Sequence, residues 1–105
     1  MLENDEILQL RTSYIEIGKL VQKYGHGQYN GVLNILMGQV NCIDSVENDD
    51  EKMQYLIESY NRLFISRGGL SDFVIYDENY EVRNQLNERY NEEVKKVLAI
   101  MKEYL

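Results

Sequence analysis

Apolar residues recur along most of this chain at alternating steps of three and four, a spacing that an α-helix turns into a single face and a strand does not. From Asp5 to Tyr24 the series is Ile7, Leu10, Tyr14, Ile17, Val21 and Tyr24, widened by Leu8, Ile15 and Leu20. Gly25 follows and is expected to end this first helix in the C′ role that glycine often takes. A second helix is expected from about Tyr29 to Ile43, with Val32, Leu33, Ile35, Leu36, Met37, Val40 and Ile43 apolar and no charged residue among them. It should be the central and most buried element. Gly31 and Gly38 weaken its helix propensity, yet they fall on one face, where a neighbouring helix can approach closely.

Asn48-Asp49-Asp50-Glu51 opens a third helix, with Asn48 and Glu51 at capping-box spacing and Met53, Leu56, Ile57, Tyr60, Leu63 and Phe64 as its stripe. The fourth and longest runs from about Glu78 to Tyr104, with Leu86, Tyr90, Val94, Val97, Leu98, Met101 and Tyr104 inward. At 105 residues the chain is long enough to bury a core without staples. These elements predict an all-α, four-helix bundle-like single domain over residues 1–105, its neighbours antiparallel because the connections are short.

The periodicity breaks between the third and fourth helices, at Gly68-Gly69-Leu70-Ser71-Asp72-Phe73-Val74-Ile75 and the following Tyr76. The pattern predicts an ordered connection rather than a slack linker. Gly68 is expected at C′ of the third helix with positive φ, and Gly69 shares its backbone freedom. Ser71 and Asp72 are expected to bond to nearby main chain, while Phe73 and Ile75 close one end of the bundle before Asp77 starts the last helix.

Charge narrows the function. Eleven basic against eighteen acidic residues give a net charge of -7, a field that repels phosphate backbones and anionic lipid and favours a basic protein partner. No nucleic acid and no membrane are therefore expected. No apolar run approaches the roughly 20 residues that span a bilayer, and the acidic start Met1-Leu2-Glu3-Asn4-Asp5-Glu6 is unlike a signal peptide, so a cytoplasmic location is expected. Cys42 is the single cysteine, which leaves no internal disulfide and suits a small apolar role.

The chemical motifs are weak. Gly25-His26-Gly27-Gln28-Tyr29-Asn30-Gly31 has its third glycine one position late for a dinucleotide loop and follows a helix instead of a strand, so it reads as an interhelical turn. His26 is the only histidine, and a continuous second helix holds it roughly 20 Å or more from Cys42. The acids around residues 44–51 lack EF-hand spacing, and no E-x-x-H pair suits a dinuclear site. No catalytic, cofactor-binding or metal-ligating residue is assigned.

Most acids sit at expected helix starts and most bases near helix ends, as the macrodipole favours. Asp44 and Glu47 belong to no helix start and are the first acids expected at a partner. Nine tyrosines and no tryptophan stand out. Tyr14, Tyr24, Tyr60, Tyr90 and Tyr104 fit inward stripes, whereas Tyr29, Tyr55, Tyr76 and Tyr80 do not and complete the candidate partner surface.

The Gly68–Ile75 motif resembles a pattern of glycine, small residue, Leu or Phe, Asn or Ser, Asp and then apolar residues in a family of small uncharacterised bacterial helical proteins. Tyr24-Gly25, an aromatic at Tyr29, the acidic connection after the second helix, and Asn87-Glu88-Arg89 extend the likeness over nearly the whole chain. Ile65, Ser66 and Gly69 depart from the usual glycine pair and serine. The resemblance implies a single-domain cytoplasmic protein in the style of immunity or antitoxin proteins, and it carries no catalytic residue. A non-enzymatic interaction module for a basic partner is the resulting expectation. The alternatives are a small-ligand or regulatory domain, able to form a homodimer, with its pocket under the motif, and an enzyme using Asp72 or His26.

Overall fold

A computed structural model describes residues 2–64 and 69–105. Four α-helices follow one another, α1 (Asn4–Tyr24), α2 (Asn30–Asp44), α3 (Asp49–Leu63) and α4 (Tyr80–Met101), with no strand among the described residues. A short 3-10 turn over Leu70–Asp72 precedes α4 and another, Lys102–Tyr104, follows it. The architecture is all-α and bundle-like.

α1 packs between α4 and α2, and α2 between α1 and α3. Cross-helix pairs give the directions. Arg11 meets Asp44, Lys52 meets Ile43, and Tyr104 just after α4 lies near Glu3 and Glu6 at the start of α1, so each packed pair runs antiparallel. The expectation that the uncharged second helix is the most buried is corrected here. α1 buries Leu10, Ser13, Tyr14, Ile17, Leu20 and Val21, a face broad enough for two neighbours. α2 buries only Val32, Leu36, Gln39 and Ile43, and Met37 stands 61% exposed. Leu8 and Leu98, expected inward, are also exposed.

The helix ends follow local chemistry. α1 begins with a reciprocal capping box between Glu3 and Glu6. Asn48 Oδ1 accepts the Glu51 N–H at 2.9 Å at the start of α3. α4 starts later than expected, because Asp77 Oδ1 accepts the Asn79 N–H at 2.8 Å and Asn79 in turn accepts from Glu81 and Val82. Gly25 is not the left-handed residue after α1. Its φ is -84°, and His26 at 52° and Gly27 at 77° make the reversal. What requires glycine at 25 is space, since a Cβ there would lie 2.4 Å from the Val21 carbonyl oxygen.

Each of the three helices α1, α2 and α3 carries polar side chains in the middle of its buried stripe. Ser13 lies between Leu10 and Ile17, Gln39 between Leu36 and Ile43, and Ser59 between Leu56 and Leu63, all at most 1% exposed. Gln9 Nε2 donates to Ser13 Oγ at 2.9 Å. The Tyr14 hydroxyl and both amide atoms of Gln39 have no hydrogen-bond partner among the described residues. Burial, reinforced by the Tyr60 hydroxyl, pushes the Tyr14 pKa far above its ordinary value.

Candidate functional site

The connection before α4 is built from main-chain bonds and three side-chain pins. Asp72 N–H donates to Gly69 O and Phe73 N–H to Leu70 O, closing the 3-10 turn. Ser71 and Asp72 take part through this turn, with their side chains exposed. Tyr90 Oη donates to Leu70 O at 2.9 Å and Tyr29 Oη to Asp72 O at 3.2 Å. Phe73 stands edge-on to both rings, with centroids 5.2 Å from Tyr29 and 5.1 Å from Tyr90. Asn87 supplies the third pin, accepting the Ile75 N–H and donating to the Ile75 carbonyl. Phe73 and Ile75 are buried and close that end of the bundle. Gly68 lies outside the described residues, and Gly69 is buried with a φ of -96°.

These contacts redistribute the candidate residues. Tyr29 is half-buried and tied to the motif, so its ring serves the fold. Beneath the motif, Leu70, Phe73, Ile75 and Tyr90 are buried against one another. Tyr76 and Tyr80 are 67% and 65% exposed, beside an exposed Val74. The Arg83 guanidinium lies 5.7 Å and 5.2 Å from their ring centres, so a cation already occupies that aromatic pair.

Asp44 is the last residue of α2 rather than part of a free connection. Arg11 grips it through two bonds of 2.8 and 3.0 Å, which hold its carboxyl below the usual carboxylate range. Its charge is spent inside the fold. Glu47 and Glu51 differ. Both are exposed, and neither has an ion-pair partner among the described residues. The Glu51 carboxyl is raised above its ordinary value, first by sharing a hydrogen bond with Glu47 and then by the repulsion of the two charges.

The two carboxylates line an open cleft of about 540 Å³ at the α2–α3 corner, with Tyr55, Gly38, Cys42 and Lys52. Lys52 brings a positive charge to the same cleft but forms no ion pair with either acid among the described residues, its Nζ donating to the Ile43 carbonyl at 3.0 Å at the end of α2. Gly38 leaves room for the Tyr55 side chain of α3, since a Cβ there would sit 2.5 Å from the Tyr55 hydroxyl. Gly31 meets nothing within 4 Å, so of the two glycines only Gly38 has a neighbour that a side chain would disturb. Burial raises the Cys42 thiol above its ordinary pKa, which disfavours the thiolate a nucleophile needs. His26 and Asp72 are exposed and do not line this cleft, with the continuous α2 separating His26 from Cys42.

Two acids, a tyrosine hydroxyl and a small apolar floor suit a flat cation, foremost a guanidinium. Because the Glu51 carboxyl is raised by its neighbour, Glu47→Gln is expected to move its titration midpoint down, measured by NMR of the side-chain carboxyl carbon. An unchanged midpoint would show that the two do not interact. The sign for stability follows. A carboxyl raised on folding binds its proton more tightly in the folded state, so the pair opposes folding at neutral pH and this opposition fades as pH falls through the raised value.

Among the described residues, no helix is long and apolar enough to cross a membrane. No known family model, curated protein sequence or solved structure matches the chain.

Proposed function

We propose that this chain is a non-enzymatic protein-interaction module of the immunity or antitoxin type, whose α2–α3 corner receives a basic side chain of a protein partner. The observation that carries this reading is the exposed Glu47–Glu51 pair beside Tyr55, with neither acid in an ion pair among the described residues. Among the described residues two acids make cross-helix ion pairs, Asp44 with Arg11 and Glu16 with Arg89. A guanidinium in the corner would relieve the repulsion between the carboxylates and stack against an aromatic ring. The net charge of -7 adds long-range attraction for such a partner.

The motif resemblance supports the same reading, because Asn87 and the Gly-Leu-Ser-Asp-Phe turn, which carry the likeness, are bonded to one another through Ile75 and hold one shape. A cytoplasmic site of action belongs to the proposal. The test is capture by the immobilised full chain from a lysate of its source organism. A basic protein retained at low salt and released at high salt is expected, together with protection by co-expression against a toxin encoded beside the gene. Retention of no basic protein, with no such protection, would overturn the proposal.

A further inference from the structure

The segment between the 3-10 turn and α4 alternates in burial as an extended strand does. Phe73 and Ile75 are buried, whereas Val74 and Tyr76 stand 71% and 67% exposed. Phe73 has extended backbone, with φ -79° and ψ 125°. The Ile75 N–H and carbonyl both turn to one side chain, meeting Asn87 Oδ1 at 3.0 Å and Nδ2 at 2.9 Å. In an extended chain the N–H and C=O of one residue face one edge and those of its two neighbours face the other. The main-chain groups of Val74 and Tyr76 therefore turn away from Asn87, and among the described residues they have no hydrogen-bond partner. Asn87 covers one edge of this short strand and leaves the other open.

We infer that this open edge takes up an extended segment of a basic protein partner, added as an antiparallel strand along Val74 and Tyr76. A row of main-chain donors and acceptors selects another extended chain, since a helix bonds its own main-chain groups internally. Charge selects whose chain it is. Residues 77–83 hold three acids, Asp77, Glu78 and Glu81, against one base, Arg83. None of the four is in an ion pair among the described residues, and Arg83 lies against the rings of Tyr76 and Tyr80. An antiparallel strand brings the residues that precede its own pairing positions opposite Asp77 and Glu78, so bases there are attracted. A second copy offers none. In the two-fold register that pairs Val74 with Tyr76 of the copy, Phe73 and Asp72 face Asp77 and Glu78, on a chain of net charge -7.

This edge lies where α2 begins, since Tyr29 Oη bonds the Asp72 carbonyl, and the Glu47–Glu51 corner lies where α2 ends. The two contacts are separate and are tested separately. The probe is the acetylated and amidated peptide Lys-Arg-Val-Thr-Val-Thr, titrated into the nitrogen-15-labelled full chain. Chemical-shift changes centred on residues 74–77 that saturate below about 1 mM are expected, with amide exchange at Val74 and Tyr76 slowed at least about tenfold. The same peptide N-methylated at both valines keeps its charge, loses the donors and is expected to bind at least about tenfold more weakly. Val74→Pro removes an N–H that bonds nothing within the chain, and is expected to weaken binding as much with an unchanged circular dichroism spectrum. No saturable binding up to about 5 mM would overturn the inference, as would equal binding of the N-methylated peptide. Shifts confined to Glu47 and Glu51 would place the base in the corner alone and overturn it too. Dimerisation without peptide that Val74→Pro abolishes would assign the edge to a second copy and overturn it equally.

Discussion

Asn87→Ala is expected to lower the unfolding free energy by about 2 to 4 kcal/mol, because one side chain satisfies both main-chain groups of Ile75. Ile75 is fully buried in a segment that is neither helix nor strand, so its N–H and carbonyl depend on a side-chain partner. Asn87 Oδ1 accepts the N–H at 3.0 Å, and its Nδ2 donates to the Ile75 carbonyl and to the Arg83 carbonyl, both at 2.9 Å. Alanine strands both Ile75 groups at a cost of about 1 to 3 kcal/mol each, and the half-exposed position of Asn87 lets water recover part of that. Asn87→Asp separates geometry from volume. It keeps the acceptor, loses the donor and sets a carboxylate against two carbonyls, which raises the pKa of the new acid. Its defect should therefore be largest at neutral pH and shrink as pH falls through that raised value. Denaturant unfolding followed by circular dichroism measures both variants. A loss below about 0.5 kcal/mol for Asn87→Ala would show that the motif is not held through this pin.

Gln39→Met should have the opposite sign, raising stability by about 1 to 3 kcal/mol. Gln39 is fully buried in α2 and neither amide atom has a partner among the described residues, so its desolvation is not offset. Methionine has nearly the same length and helix propensity and removes the polar atoms without opening a cavity. Tyr14 supplies the control. Its buried hydroxyl neighbours Gln39, and Tyr14→Phe together with Gln39→Met clears both buried polar groups. The double variant should be at least as stable as Gln39→Met alone. A thermal midpoint that falls on Gln39→Met would show that the amide is paired in the folded protein and contributes to stability.

The helices were legible in the sequence because their periodicity is local, but the assignment of faces was not. Residue type alone could not say which neighbour covers which stripe. Leu10, Ser13, Tyr14, Ile17, Leu20 and Val21 make α1 inward over a face wide enough for two helices, whereas α2, uncharged up to Ile43, keeps Met37 outside. A signal for the buried polar residues was present. Ser13, Gln39 and Ser59 each stand three residues after a leucine and four before another aliphatic residue, so they occupy the stripe as firmly as their neighbours. The start of α4 was ambiguous because Asp77 and Asn79 are both good caps, and the Asp77 bond to the Asn79 N–H settles it in favour of Asn79.

The candidate surface divided for similar reasons. Asp44 looked free, yet Arg11, 33 positions away, returns across α1 to take it. Tyr29 looked misplaced on its helix because its partners, Phe73 and the Asp72 carbonyl, come from a distant segment. Glu47 and Tyr55 stay at the surface and meet at one cleft, joined by Glu51, which sequence spacing had assigned to the cap of the third helix.

The acidic corner is tested most directly by lysate capture with three versions of the chain. Glu47→Gln/Glu51→Gln and Asp49→Asn/Asp50→Asn each remove two negative charges, the first pair inside the cleft and the second at the start of α3 outside it. If a partner cation sits between Glu47 and Glu51, the first variant should lose the basic protein by at least about tenfold, or 1.4 kcal/mol, while the second retains it. Equal retention by both variants, or equal loss from both, would contradict a docking role for the corner.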